Sequence, residues 1–205
     1  MMMRFSFLCA CLLVASGCAR PRGAQLCEAI AKRDLAEVQR LLAGPAIELT
    51  LSHGTCVPAD VFVMAKPGDT VPTSIGIELL KAGLPPDASW LSSGRPDVVR
   101  AIEAAAGNGN ADLVKGLIAV GLDVKSVEST RALVQAAGAG HLAVVRLLVE
   151  EGADLDATSG GETALQRARS TERAEVVAFL EEAVAARDAA AAKAAAAAAA
   201  KAAGH

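Results

Sequence analysis

The chain of 205 residues has room for one domain of ordinary size; 53% of it is hydrophobic, yet aromatic residues are only 2%, with one tryptophan and no tyrosine. That composition excludes a core of large rings and favours thin helical layers with small residues between them. A net charge of −3 with no cluster of lysine or arginine argues against nucleic acid, because phosphates need basic residues to neutralise them and bases need aromatic platforms.

The N-terminus opens with Met1, Met2, Met3 and Arg4, and an apolar run follows from Phe5 to Val14. The run is shorter than the ~20 residues of a membrane-spanning helix and has the shape of a signal-peptide core. It ends in Val14-Ala15-Ser16-Gly17-Cys18, small residues before a cysteine, which resembles the lipobox of bacterial lipoproteins. The resemblance implies a signal peptide over residues 1–17, acyl chains on Cys18 and a short tether over 18–23. Ala19, where an aspartate would favour inner-membrane retention, points to the outer membrane facing the periplasm; the inner membrane and cell surface stay open. An ordinary cleaved signal, or lipidation at Cys11, are the alternatives. Cys27 and Cys56 would remain after Cys18; in an oxidising periplasm they pair, or they are two buried thiols.

From Leu26 to Leu42 the pattern reads as two short helices, the second opened by Asp34 and Glu37 as a capping box. A looser unit follows, with a first helix near residues 59–65 and a second ending in Leu79, Leu80 and Gly83; Pro58, Pro67 and Pro72 break its pattern. Residues 85–94 form a long connection carrying Trp90. The frame then repeats: Gly109 to Gly140 and Gly121 to Gly152 are each 31 residues apart, and Gly161-Glu162-Thr163-Ala164-Leu165 restarts it for a terminal unit with Val176, Val177 and Leu180.

Residues 131–157 carry the clearest copy. Ala136 and Ala137 are followed by Gly140-His141-Leu142, then by Val144, Val145, Leu147 and Leu148 at helical spacing, then by Gly152-Ala153-Asp154. This copy resembles the ankyrin repeat residue by residue, and the spacing is close to the ~33 residues of such arrays. The resemblance implies an all-α ankyrin-repeat solenoid over residues 24–182, about five helix-turn-helix units with hairpin loops, the second degenerate. Residues 183–205 are nearly all alanine with Arg187, Asp188, Lys193 and Lys201, a strong helix former that extends the last helix and frays at its end.

Chemistry is sparse. His141 falls at the family's structural turn histidine, His205 is terminal, and His53 near Cys56 lacks the further ligands that zinc needs (about four in all). No nucleotide loop or hydrolase motif is present, so no cofactor and no metal are expected, and an enzyme ranks last. Asp123, Asp154 and Asp156 read as hairpin residues with local hydrogen bonds, and Gly107-Asn108-Gly109-Asn110 as a repeat turn.

The ankyrin resemblance implies partner binding through hairpin tips and the concave face of the first helices. Mapped on this chain, that face is Arg95, Asp97, Asn108, Glu128, Thr130, Arg131 and Glu162, all expected to be polar and exposed. Trp90 is either a binding hot spot in a finger or a plug beside the irregular unit. The leading functional reading is a monomeric, non-catalytic, membrane-anchored module that binds a protein, such as an immunity or accessory partner of a secreted effector. The alternative is an envelope spacer that touches peptidoglycan or an envelope complex through the tail.

Overall fold

A computed structural model describes residues 21–47, 49, 61–84, 89–91 and 98–203. The lipidation site Cys18, the signal segment, Cys56, Arg95 and Asp97 lie outside the described residues.

Five helix pairs follow one another in the described chain. They are α1 (Arg22–Ala31) with α2 (Leu35–Leu42), α3 (Val61–Met64) with α4 (Thr70–Lys81), α5 (Ala101–Gly107) with α6 (Ala111–Ala119), α7 (Val127–Ala139) with α8 (Leu142–Glu150), and α9 (Ala164–Ser170) with α10 (Ala174–Ala203). A short ribbon, β1 (Ser89–Leu91) antiparallel to β2 (Val98–Arg100), joins the second pair to the third, with Trp90 opposite Val99. The pairs stack in two layers. Helices α3, α5, α7 and α9 pack side by side in one, and α2, α4, α6, α8 and α10 in the other.

Each turn has the same physical requirement. To reverse direction after three residues, the chain must enter the left-handed region, which costs an L-residue roughly 1–2 kcal/mol and glycine little. The residue between the two helices has positive φ in all five pairs: Arg33 (57°), Gly68 (78°), Gly109 (75°), Gly140 (86°) and Glu172 (58°). The amide that follows then bonds back to a helix carbonyl: Asp34 to Ala29, Asn110 to Ala105, His141 to Ala136 and Arg173 to Ala168, each at 2.9 Å. This is the Schellman closure that satisfies helix-end carbonyls.

Side-chain caps start the helices. Asn110 accepts from Leu113 N, Ser126 from Ser129 N, and Thr163 with Gln166 completes a full capping box. The capping box expected at Asp34 is only half made. Asp34 accepts from Glu37 N at 3.0 Å, but the Glu37 carboxylate turns to Arg40 through two hydrogen bonds of 2.7 and 2.6 Å, a stronger charge-assisted partner than a backbone amide. Pro72 does not break the second unit either. It is the third residue of α4, where the amide it lacks would have had no helical partner.

One apolar seam runs between the layers, from Leu26 and Ile30 through Phe62, Ile75, Leu79, Ile102, Leu113, Leu133 and Leu148 to Val176 and Leu180. A single helix pair could not bury such a face alone; neighbours complete it. Cys27 is buried in α1. Helix α10 runs unbroken across residues 182–183 and, with 30 residues, is about 45 Å long. Arg146 stacks on the Phe179 ring (4.5 Å), and Arg187 meets Asp156 at 2.5 Å. From residue 188 to 199 every side chain is exposed.

Candidate binding surface

Consecutive pairs are joined by side chains that reach backwards. The position after each left-handed turn residue is a helix N-cap, and its side chain lies beside the preceding unit's turn. His141 Nε2 donates to the Gly107 carbonyl at 3.1 Å; one repeat later, Arg173 Nε donates to Gly138 O, also at 3.1 Å. One repeat earlier, Asn110 donates to Thr73 Oγ1 at 2.7 Å and to Ala65 O at 3.4 Å. His141 is therefore a structural residue at the turn, as the sequence suggested.

These joints correct two of the expected contact residues. Asn108 is half-buried, and its amide donates to the carbonyls of Val63 (2.9 Å), Ala65 (3.2 Å) and Phe62 (3.3 Å) at the end of α3. It closes helix-end acceptors rather than facing solvent. Thr130 is 7% exposed, with its hydroxyl donating to Ser126 O at 3.2 Å; the first turn of α7 absorbs it.

Glu128, Arg131 and Glu162 do reach the surface of the α5–α7–α9 layer, each ion-paired. Glu128 pairs with Arg100, Arg131 with Glu103 at 3.1 Å, and Glu162 with Arg167 at 2.8 Å. The Glu128 carboxyl is held below its ordinary range, first by a hydrogen bond from its own backbone N–H at the start of α7 and then by Arg100. Glu162 also belongs to a tight hairpin: Ser159 N donates to Glu162 O at 2.9 Å, with Gly160 and Gly161 both at positive φ. The backbone of Trp90 is in β1, away from these residues in sequence; its side chain and the loop holding Arg95 and Asp97 are outside the described residues.

Sequence reasoning missed three members of this face. Val127, at the start of α7, is 69% exposed. Gln135 and Arg167 line an open groove of about 350 Å³ between α7 and α9. The repeat frame could have found Arg167, which lies 32 residues after Gln135. A second groove, about 490 Å³, lies in the other layer between α4 and α6, over Gly68, Ile77 and Gly116. Among the described residues no group of three or more His, Cys, Asp or Glu is placed to hold a metal ion. None of their helices is long and apolar enough to cross a membrane.

Residues 102–188 match the family model of ankyrin repeats, in three copies. These residues are ankyrin repeats. The three copies correspond to the pairs α5/α6, α7/α8 and α9/α10, and the all-α ankyrin solenoid expected from the sequence is the fold observed. Ankyrin repeats are a protein–protein interaction module, and the ion-paired face of α5, α7 and α9 belongs to their first-helix layer. No curated protein matches the chain.

Proposed function

We propose that the protein is a non-catalytic, lipid-anchored docking module of the bacterial envelope, which captures a protein partner on the exposed first-helix face of its three ankyrin repeats. The observation that carries the reading is the state of that face. Val127, a large apolar side chain that is 69% exposed, sits on α7 beside charged side chains already fixed in ion pairs. An exposed apolar residue within a rigid polar frame is suited to association, whereas an enzyme would need converging acid–base groups.

Anchoring rests on the lipobox-like run before Cys18, and the specific role of immunity or accessory partner to a secreted effector rests on likeness to other envelope lipoproteins with such repeats. Metabolic labelling with an alkyne fatty acid tests the anchor: wild type takes label and Cys18→Ser does not. Photo-crosslinkers at positions 127 and 135 test the face; one discrete protein partner is expected, and crosslinks only from the α4–α6 side would reject it. The spacer reading is favoured by one feature, the projection of α10 about 24 Å past Arg187. Deleting residues 189–205 abolishes function if the tail makes the essential contact and spares it if the repeats do.

A further inference from the structure

We infer that the groove between α7 and α9 receives a carboxylate-bearing segment of the partner, an acidic peptide held by Arg131 and Arg167. The inference rests on the docking face proposed above and names the chemistry that face selects. The groove is lined by two guanidinium groups, the Gln135 amide and the hydroxyls of Ser159 and Thr171, and by no carboxylate. In a chain with net charge −3, an interior of that sign is a local reversal, and it complements an anion.

The two arginines are held in place without being used up. Arg131 commits NH1 to Glu103 at 3.1 Å and keeps its side chain 51% exposed. Arg167 commits Nε to Glu162 at 2.8 Å and keeps 42%. A guanidinium has five N–H donors in a planar fork, so each retains donors for a second carboxylate, and bidentate Arg–carboxylate pairs are among the strongest polar contacts. Rigidity comes from below. A methyl group added at Gly138 would lie 2.8 Å from Arg167 Cγ, so the Arg167 stem rests directly on the α7 backbone. Holding both groups at the rim in advance lowers the ordering cost of binding. Val127 lies four residues before Arg131 on the same helical face, and offers apolar contact to a residue flanking the acid.

A nitrogen-15 NMR titration of the full chain is the test, with a decapeptide of alternating glutamate and glycine as probe and its glutamine–glycine counterpart as the neutral control. The glutamate peptide is expected to shift the Gly138 and Thr171 amides and the side-chain Nε–H signals of Arg131 and Arg167. The control should bind roughly tenfold more weakly, as the loss of a charge-assisted pair implies. The double substitution Arg131→Gln with Arg167→Gln should remove the shifts, while Lys115→Gln on the opposite layer keeps them; unchanged circular dichroism shows that the fold persists. Equal binding of the two peptides, shifts that survive the double substitution, or no shifts at any soluble peptide concentration would each overturn the inference. If crosslinks from position 135 to a protein partner persist in the double variant, the docking face stands and the acidic-peptide assignment falls. Loss of the wild-type crosslinks themselves removes both.

Discussion

The two ends of the repeat stack use the same geometry with different chemistry. From α5 onward, successive turns are spaced 31 and 32 residues apart, whereas the first two intervals, Arg33 to Gly68 and Gly68 to Gly109, are 35 and 41. In the C-terminal half each joint is one side chain on one turn carbonyl, His141 on Gly107 and Arg173 on Gly138. Between the second and third pairs the same position needs two asparagines, because α3 is only four residues long and leaves several carbonyls open at its end. Between the first and second pairs the joint is an exposed ion pair, Arg33 with Asp69 at 2.9 Å, a kind of contact worth about 0–1 kcal/mol. A solenoid therefore tolerates irregular units provided each supplies a left-handed turn and a cover for its neighbour's open carbonyls.

This comparison is broken most severely through the core. Phe62 in α3 and Leu148 in α8 are both fully buried. Phe62→Ala should cost about 3–5 kcal/mol and Leu148→Ala about 2–5 kcal/mol. Because stability in a stack is a sum of local and neighbour terms, the first should abolish amide-exchange protection in α1–α4 and leave α7–α9 protected, whereas the second should loosen the C-terminal half. Uniform loss of protection in both variants would mean that the two halves fold as one cooperative unit. Next in size is Asn110→Ala. Asn110 is 3% exposed and serves both as N-cap to Leu113 N and as donor to Thr73 Oγ1. Losing a cap and a buried hydrogen bond should cost about 2 kcal/mol, read as a lower denaturant midpoint.

The difference between the halves also explains what could be read from sequence. The copy over residues 131–157 was legible because Gly140 and Gly152 stand where the backbone needs positive φ, and because Val144, Val145 and Leu148 mark one helical face. The second unit was obscured by Pro72, which looks like a helix breaker until its place in the first turn of α4 is known. Asn108 and Thr130 misled for a different reason: a polar side chain shows what it can bond, not which carbonyl the fold brings to it. Arg131 and Glu128 were identified, but their partners Glu103 and Arg100 lie 28 residues upstream, and pairing between neighbouring first helices is fixed by the stacking offset, which periodicity alone does not state. The α7–α9 groove was hidden for the same reason.

The turn residues sharpen the comparison at smaller energies. Gly140 lies at φ 86°, and a methyl group there would sit 2.9 Å from Arg173 Cδ; Gly140→Ala should cost about 1–2 kcal/mol. At the equivalent place in the last unit Glu172 already bears that strain, so Glu172→Gly should gain up to about 1 kcal/mol, the relief being partly offset by the greater freedom of glycine in the unfolded chain. Arg33→Gly should gain less, since it also removes the ion pair to Asp69. Thermal melts of the three variants should fall in that order, and a destabilised Glu172→Gly would show that its side chain makes a contact outweighing the backbone strain.

The smallest expected effect is on pH dependence. Both Glu37 and Glu128 have carboxyls held below their ordinary range, the first by its hydrogen bond with Arg40, the second by its own backbone N–H and then Arg100. A depressed folded-state pKa contributes stability that is fully present above the unfolded value, about 4.3 for glutamate, and is lost as pH falls through the lower folded value, because in that interval the unfolded chain binds more protons. Glu37 is fully exposed, so solvent screens its pair, whereas Glu128 is partly covered between α5 and α7. Glu128→Gln should therefore flatten the acid limb of a midpoint-against-pH curve more than Glu37→Gln does. Added salt should shrink the Glu37 effect further and leave most of that of Glu128, because its first cause is a backbone hydrogen bond rather than a long-range charge.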